Sequence, residues 1–204
     1  HDMRGFGRSP VPPGRYSHAR DLVAVMDSAD VAEAVVVGTS MGGRVALEVA
    51  VAHPERVSAL VLVGSGLPDH EWSDAVKEYW AAEDEAIECG DLAAAAEVNV
   101  RFWIDGPGRM SEDVGPELRR RVHAMQLRAL ELQVPSYLEV GDLEELLVPD
   151  LGEHLGEVTR PALVVSGEAD QPDIHAIARR IVASLPDTTE ASTPDAGHLP
   201  SMER

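Results

Sequence analysis

A short glycine-rich segment that joins an apolar run to a helical pattern constrains the fold of this chain most. The run from Ala34 to Val37 is continuous rather than alternating, as in a strand buried on both faces of a parallel sheet. The segment Gly38–Gly42 (Gly-Thr-Ser-Met-Gly) follows it. The helical pattern after that segment ends near His53, because Pro54 cannot continue a helix. This strand, turn and helix predict a βα unit, the building block of α/β folds.

Further runs and amphipathic patterns extend this unit into a sheet. Apolar runs lie at Val57–Val63 and Ala162–Val165, with a weaker one around Thr188–Ser192. Helical patterns lie at Ser17–Ala29 and at Asp173–Leu185, where apolar residues recur at helical spacing. Alternation of strands and helices predicts an α/β fold with a parallel sheet and right-handed crossovers.

The middle of the chain interrupts this alternation. From about Asp69 to Gly156 no segment has a convincing strand pattern. Four helices are predicted there instead: Asp74–Glu88, Asp91–Trp103, Pro116–Leu132 and a short one near Asp142–Leu147. A connection of this length is too long for an ordinary loop. The predicted organisation is therefore an α/β core at 1–68 and 157–204 with an all-helical insertion at 69–156.

The glycine-rich segment contains the pattern G-x-S-x-G, centred on Ser40, in the strand-turn-helix setting of a nucleophile elbow. A serine on so sharp a turn needs residues without side chains on either side, which Gly38 and Gly42 supply. The helix that follows would direct its N-terminus, including the N–H of Met41, at a developing oxyanion. An ordinary tight turn is the alternative. A phosphate-binding loop is disfavoured, since Arg44 stands where a Lys-Ser/Thr pair is needed.

A serine nucleophile needs a base and a group that orients the base, in the chain order Ser, acid, His for this elbow. Asp170 lies in the loop after the third run, and His198 lies after the weak fourth run. Both positions are at carboxyl ends of predicted strands, where sites in open parallel sheets occur. Other acids remain alternatives to Asp170: Glu168, Asp173 and Asp195.

Composition narrows the class of ligand. With 36 acidic against 17 basic residues the formal charge is −19, so a nucleic-acid partner is excluded by repulsion. No apolar run approaches the roughly eighteen residues of a membrane helix. Cys89 is the single cysteine and can form no internal disulfide, so a cytoplasmic protein is expected. The pattern indicates no metal site, and a serine mechanism needs no cofactor.

These motifs together resemble the α/β-hydrolase superfamily. The resemblance lies in Asp-x-Arg-Gly-x-Gly-x-Ser at 2–9, the elbow around Ser40, Asp170, and Gly-His at 197–198, and it is strongest to small bacterial esterases and enol-lactonases with a helical cap. It implies that Ser40 is the nucleophile, His198 the general base and Asp170 the acid that orients it. It also implies that the four strands are the fifth to eighth of the fold and that the helical insertion is the cap.

The chain departs from the family pattern in two ways, and each departure leads to an expectation. The family has strands before the position of His1, with a His-Gly loop that supplies a second oxyanion N–H, and a helix beyond the position of Arg204. We therefore expect an N-terminally truncated hydrolase that is weak or inactive. An uncovered sheet edge would then favour self-association.

A serine nucleophile indicates acyl transfer, so the predicted reaction is cleavage of a small-molecule ester or lactone through an acyl-enzyme, with Met41 as oxyanion donor. Trp103 and Met125 in the insertion are predicted substrate contacts. A carbon–carbon bond hydrolase, a perhydrolase and a peptidase use the same triad and stay open. A ligand-binding relative without turnover and an inactive fragment are the remaining alternatives.

Overall fold

Four parallel strands form the sheet at the centre of the protein. The computed structural model describes residues 1–204. The strands are β1 (Ala34–Thr39), β2 (Val57–Val63), β3 (Ala162–Gly167) and β4 (Thr188–Thr193), and they lie in the order β1-β2-β3-β4. All three neighbouring pairs are parallel. The predicted parallel sheet is confirmed, with each strand at its predicted place.

Helices connect the strands and fill the middle of the chain. In chain order they are α1 (His18–Ser28), α2 (Met41–Ala52), α3 (Asp74–Glu88), α4 (Leu92–Asn99), α5 (Ser111–Val114), α6 (Pro116–Val140), α7 (Leu151–His154), α8 (Pro172–Ser184) and α9 (Pro200–Glu203). Short 3-10 turns occur at Pro54–Arg56 and Leu155–Glu157, and a π-helical segment spans Val100–Asp105. None of the helices is both long and apolar enough to cross a membrane.

The main hydrophobic core lies between the sheet and the helices of the α/β part. α2 is buried along most of its length, and Leu47 is fully buried. On α8 the predicted stripe is buried at Ile174, Ile177 and Ile181. These side chains form one cluster with Leu60 of β2 and its neighbours. Burial of this apolar surface holds α2 and α8 against the sheet and so fixes the loops at the strand ends.

The helical layer between β2 and β3 contains no strand, as the sequence predicts. Its α4 and α6 helices pack through a small separate cluster that includes Ala95 and Leu130. The predicted helix Asp91–Trp103 changes to π-helix at Val100. The predicted helix Pro116–Leu132 continues to Val140 with Pro135 inside it, and Val134 beside this proline is buried in the α4–α6 cluster.

The segment Asp142–Leu147, predicted as a short helix, is extended, and that prediction is wrong. Its backbone pairs with Tyr16 instead: Glu145 N donates to Tyr16 O at 2.7 Å, and Tyr16 N donates to Leu143 O at 3.1 Å. Residues that follow it, Leu151 and Leu155, belong to the main core. The division at 69–156 stays a prediction, and we propose from these contacts that the helical layer ends near 141.

β1 is one of the two edge strands of the sheet, and burial there differs from expectation. Val35 and Val37 are 56% and 65% exposed, whereas Val36 between them is buried. The prediction of burial on both faces is therefore wrong for this strand, because no element packs on the face that carries Val35 and Val37.

Candidate active site

Ser40 lies on a strained turn between β1 and α2. Its backbone angles are φ 54° and ψ −118°, a region that residues with a Cβ rarely adopt. Four backbone hydrogen bonds hold the turn: Ser40 N donates to Val63 O at 2.8 Å, and Ser40 O accepts from the N–H groups of Gly43, Gly66 and Arg44 at 2.9, 3.2 and 3.3 Å. Strain of about 1–3 kcal/mol persists only where surrounding contacts fix it, and such residues cluster at functional sites.

The glycines beside Ser40 have different reasons to be glycine. A Cβ on Gly38 would lie 2.1 Å from the carbonyl oxygen of Gly42, so that position excludes any side chain. A Cβ on Gly42 would have no atom within 4 Å, so the predicted steric need at Gly42 is wrong. The second close approach is at Gly43, where a Cβ would lie 2.5 Å from Ser65 Oγ.

Asp170 and His198 form a buried pair. His198 Nδ1 lies 2.9 Å from Asp170 Oδ2 and 3.2 Å from Oδ1, and the two residues are 5% and 3% exposed. Because a carboxylate only accepts hydrogen bonds, Nδ1 carries the proton, and Nε2 is left with a free lone pair. Gln171 N also donates to Asp170 Oδ1 at 2.7 Å and fixes the carboxylate.

The rival acids have other partners. Glu168 accepts a hydrogen bond from Ser192 Oγ at 2.9 Å, and Asp173 accepts from Ser73 N and Oγ at 2.9 and 2.7 Å. The Asp195 carboxylate makes an ion pair with Arg204, at 3.9 Å. None of the three contacts His198, so the geometry singles out Asp170 among the acids.

Gly64, which the sequence did not single out, links Ser40 to this pair. It follows β2 with φ +52°, and a Cβ there would lie 3.2 Å from His198 Nδ1 and 3.4 Å from Asp170 Oδ2. The preceding residue, Val63, holds the Ser40 backbone. Ser40, Asp170 and His198 therefore lie at the carboxyl ends of the strands. The backbone of Gly64, which has no side chain, lies between Ser40 on one side and the Asp170–His198 pair on the other. Ser40 Oγ makes no hydrogen bond in this arrangement.

The π-helical segment covers His198 from the helical layer. The Trp103 ring lies 4.5 Å from the His198 ring, centroid to centroid, and Trp103 O accepts a hydrogen bond from His198 N at 3.3 Å. Gln171 Nε2 donates to Phe102 O at 2.5 Å. π-Helical turns occur often at functional sites. Here the segment contacts His198 directly and Asp170 through its neighbour Gln171.

Arg109 and Glu203 hold the loop that carries His198, which we call the histidine loop (Asp195–Leu199). Arg109 Nη1 donates to Glu203 Oε2 at 2.6 Å and to Asp195 O at 2.8 Å. Glu203 Oε1 accepts from Gly197 N at 2.8 Å. The remaining guanidinium bonds go to Ile104 O and Asp105 O. No local pattern in the sequence indicates this pair, because its members lie far apart along the chain.

A cavity of about 250 Å³ opens beside Met41, between the turn that carries Ser40 and α6. We call it the Met41 cavity, and its lining includes Phe6, Tyr16, His18, Met41, Leu130 and Val134. Trp103 and Met125 do not line it, and Met125 is 56% exposed, so their predicted substrate contacts stay predictions. No group of three or more His, Cys, Asp or Glu side chains is arranged to hold a metal ion.

Comparison with known proteins identifies the family of the chain. The chain is 28% identical over 204 residues to a pimeloyl-(acyl-carrier protein) methyl ester esterase of Yersinia enterocolitica, covering 98% of this chain and 74% of the esterase. It is 47% identical over 68 residues to a 2-hydroxymuconate semialdehyde hydrolase of Pseudomonas putida, covering 31% of this chain and 24% of that hydrolase.

Among solved structures, the enol-lactonase of Burkholderia xenovorans LB400 superposes with a TM-score of 0.77 at 22% identity, covering 100% of this chain and 74% of the lactonase, and so shows the same fold. A family model described as the alpha/beta hydrolase fold matches residues 1–204. The chain therefore belongs to the α/β-hydrolase family, and the resemblance drawn from its motifs is confirmed.

Proposed function

We propose that this protein is a serine hydrolase that cleaves a small ester or lactone through Ser40, His198 and Asp170. The observation that carries the proposal is the buried Asp170–His198 pair at 2.9 Å, next to a serine on a strained turn. A weak nucleophile activated by a base, which a third group orients, is the arrangement that acyl transfer requires. Its esterase relative and its hydrolase family support the same reaction class.

The proposed reaction proceeds in two halves. His198 Nε2 takes the Ser40 proton as Oγ attacks the substrate carbonyl, and the resulting oxyanion accepts a hydrogen bond from Met41 N. When the intermediate collapses, His198 returns the proton to the leaving alkoxide and an acyl-enzyme remains. Water then attacks the acyl carbon and gives a proton to His198, and His198 returns that proton to Ser40 Oγ as the acid is released. In a lactone the leaving alkoxide stays tethered to the acyl group.

Met41 suits the role of oxyanion donor for a structural reason. It is the first residue of α2, where backbone N–H groups have no carbonyl partner within the helix. The dipole of α2 adds partial positive charge at the same point. The donor is held by the same turn that holds Ser40, so it needs no reorganisation during the reaction.

A second candidate is a relative that binds small molecules without turning them over. The observation behind it is that Ser40 Oγ forms no hydrogen bond with His198. Catalytic hydrogen bonds are often long before substrate binds, so this geometry is compatible with either function.

A fluorophosphonate probe separates the two. Covalent labelling of Ser40, mapped by mass spectrometry, should disappear in Ser40→Ala and His198→Ala and persist in Ser192→Ala, which changes an exposed serine outside the site. With p-nitrophenyl acetate, Asp170→Asn should lower kcat by about 10⁴-fold, as loss of the orienting acid does in other triads. A folded wild-type protein that is not labelled would contradict the proposal and favour the binding function.

A further inference from the structure

The Met41 cavity has apolar walls and a limited size. Phe6, Ile87, Leu130 and Val134 contribute apolar surface, and Met41 connects the cavity to the proposed oxyanion site. A cavity of 150 Å³ accommodates benzene, so about 250 Å³ corresponds to roughly ten non-hydrogen atoms. The cavity therefore has the dimensions of the acyl part of a small ester.

Charges at the cavity wall are already neutralised or negative. Arg4 makes two hydrogen bonds to Asp21, at 2.5 and 2.9 Å, and Glu144 accepts from Arg44 at 2.6 Å. Glu83, also in the wall, accepts from Tyr79 and Asn99, and no cation pairs with it. A carboxylate in the cavity would therefore find no free guanidinium or ammonium group, because the one arginine of the lining, Arg4, is already paired with Asp21.

His18 is a buried polar residue of the wall without a partner. The residue is 3% exposed, and neither ring nitrogen makes a hydrogen bond within the protein. Its Nδ1 is fully enclosed, so Nε2 is the nitrogen that can bond to a ligand in the cavity. A polar group left unpaired is unfavourable, and a ligand that bonds to it removes that penalty. Burial lowers the pKa of His18, which favours the neutral imidazole, with one nitrogen that donates and one that accepts.

Resting on the serine hydrolase function above, we propose that the Met41 cavity selects a neutral acyl group that carries its own hydrogen-bonding oxygen or N–H for His18, and discriminates against acyl groups that end in a carboxylate. The apolar walls hold the chain, His18 binds its polar atom, and an anion is disfavoured because the wall offers it no unpaired cation. His18 is then a specificity determinant and takes no part in bond breaking.

Three p-nitrophenyl esters with acyl chains of the same length test this: the pentanoate, the levulinate, which adds a neutral ketone, and the hydrogen glutarate, which adds a carboxylate. We expect the glutarate to have the lowest kcat/KM, by at least about tenfold relative to the levulinate, which corresponds to 1.4 kcal/mol. The levulinate to pentanoate ratio should fall in His18→Phe, recover partly in His18→Gln, and stay unchanged in His154→Phe, whose histidine lies outside the cavity.

Binding of the same esters to Ser40→Ala, measured by calorimetry, gives a readout that does not depend on turnover. The same order of affinity would support the cavity assignment even if the wild-type protein hydrolysed none of the esters, an outcome that would contradict only the proposed reaction. Labelling of Ser40 together with equal or tighter binding of the glutarate would overturn the assignment and leave the reaction standing. A levulinate to pentanoate ratio that is unchanged in His18→Phe would also overturn it.

Discussion

Replacement of Arg109 by alanine should loosen the histidine loop and so affect both stability and turnover. The side chains of Arg109 and Glu203 are 13% and 4% exposed, which makes this a buried ion pair. Removal of one partner of such a pair costs about 3–5 kcal/mol, since the other charge stays buried. For a domain of this size that corresponds to a decrease in Tm of roughly 6–20 °C.

The effect on turnover comes from the position of His198. Arg109 binds Asp195 O and, through Glu203, holds Gly197 N, the residue next to the proposed base. A displacement of about 1 Å in a catalytic group can lower the rate by about 10²-fold. We therefore expect kcat to fall by about 10- to 100-fold in Arg109→Ala, with little change in KM because Arg109 does not line the Met41 cavity.

The assay combines thermal unfolding with steady-state hydrolysis of p-nitrophenyl acetate at a temperature where each variant is folded. Arg119→Ala is the matched control, because Arg119 pairs with Glu97 and Asp105 in the same helical layer but contacts no residue of the histidine loop. The control should lose stability and keep kcat. Arg109→Lys should restore part of both. Equal kcat for wild type and Arg109→Ala, or equal losses in the two alanine variants, would refute the positioning role.

Three further changes test other parts of the structure. Gly38→Ala should destabilise the protein by about 1–3 kcal/mol in urea unfolding, whereas Gly42→Ala should stay within about 1 kcal/mol, and similar losses would contradict the contacts of the turn that carries Ser40. Asp173 is buried, which raises its pKa, but hydrogen bonds from Ser73 and His70 outweigh this and hold the pKa below its usual value. Asp173 therefore stabilises the fold above the ordinary aspartate pKa, and this contribution is lost as pH falls through its folded-state pKa. The difference in unfolding free energy between wild type and Asp173→Asn should thus shrink on acidification from about pH 5 to about pH 2. A constant difference would argue against this role of Asp173. Val37 is 65% exposed on the edge strand β1. Val37→Lys should therefore reduce self-association, measured by sedimentation equilibrium, and change the free energy of unfolding by no more than about 0.5 kcal/mol. A wild-type protein that is already monomeric would contradict the expected self-association.

Local sequence patterns predict the sheet well because each strand is an apolar run of neighbouring residues in the chain. β2 is found at its predicted bounds, since Val57–Val63 is apolar except for Ser58 and Pro54 separates it from α2. The same holds for α3, where Ser73 is the N-cap and accepts a hydrogen bond from Val76 N. Asp170 could be chosen among several acids because strand ends in a parallel sheet share one edge.

The errors arise where distant contacts decide the local structure. The segment 142–147 has a helical composition, but pairing with the backbone near Tyr16 makes it extended. The change to π-helix at Val100 places Trp103 against His198, a contact that no helical periodicity encodes. The prediction of a steric need at Gly42 is wrong, because the close approach of backbone to backbone occurs at Gly38.

The position of the proposed base depends on both parts of the chain. Asp170, from the loop after β3, holds one side of the His198 ring, while Trp103 and Arg109, from the helical layer, hold the ring face and the loop. A shift of that layer would therefore move the base as well as the wall of the Met41 cavity. The helical layer both lines the cavity and positions His198. A substitution on α6 that enlarges the cavity should therefore change KM without changing kcat only if the π-helical segment keeps its contacts with His198. Variants in which kcat and KM change together then identify the residues that couple substrate selection to the position of the base.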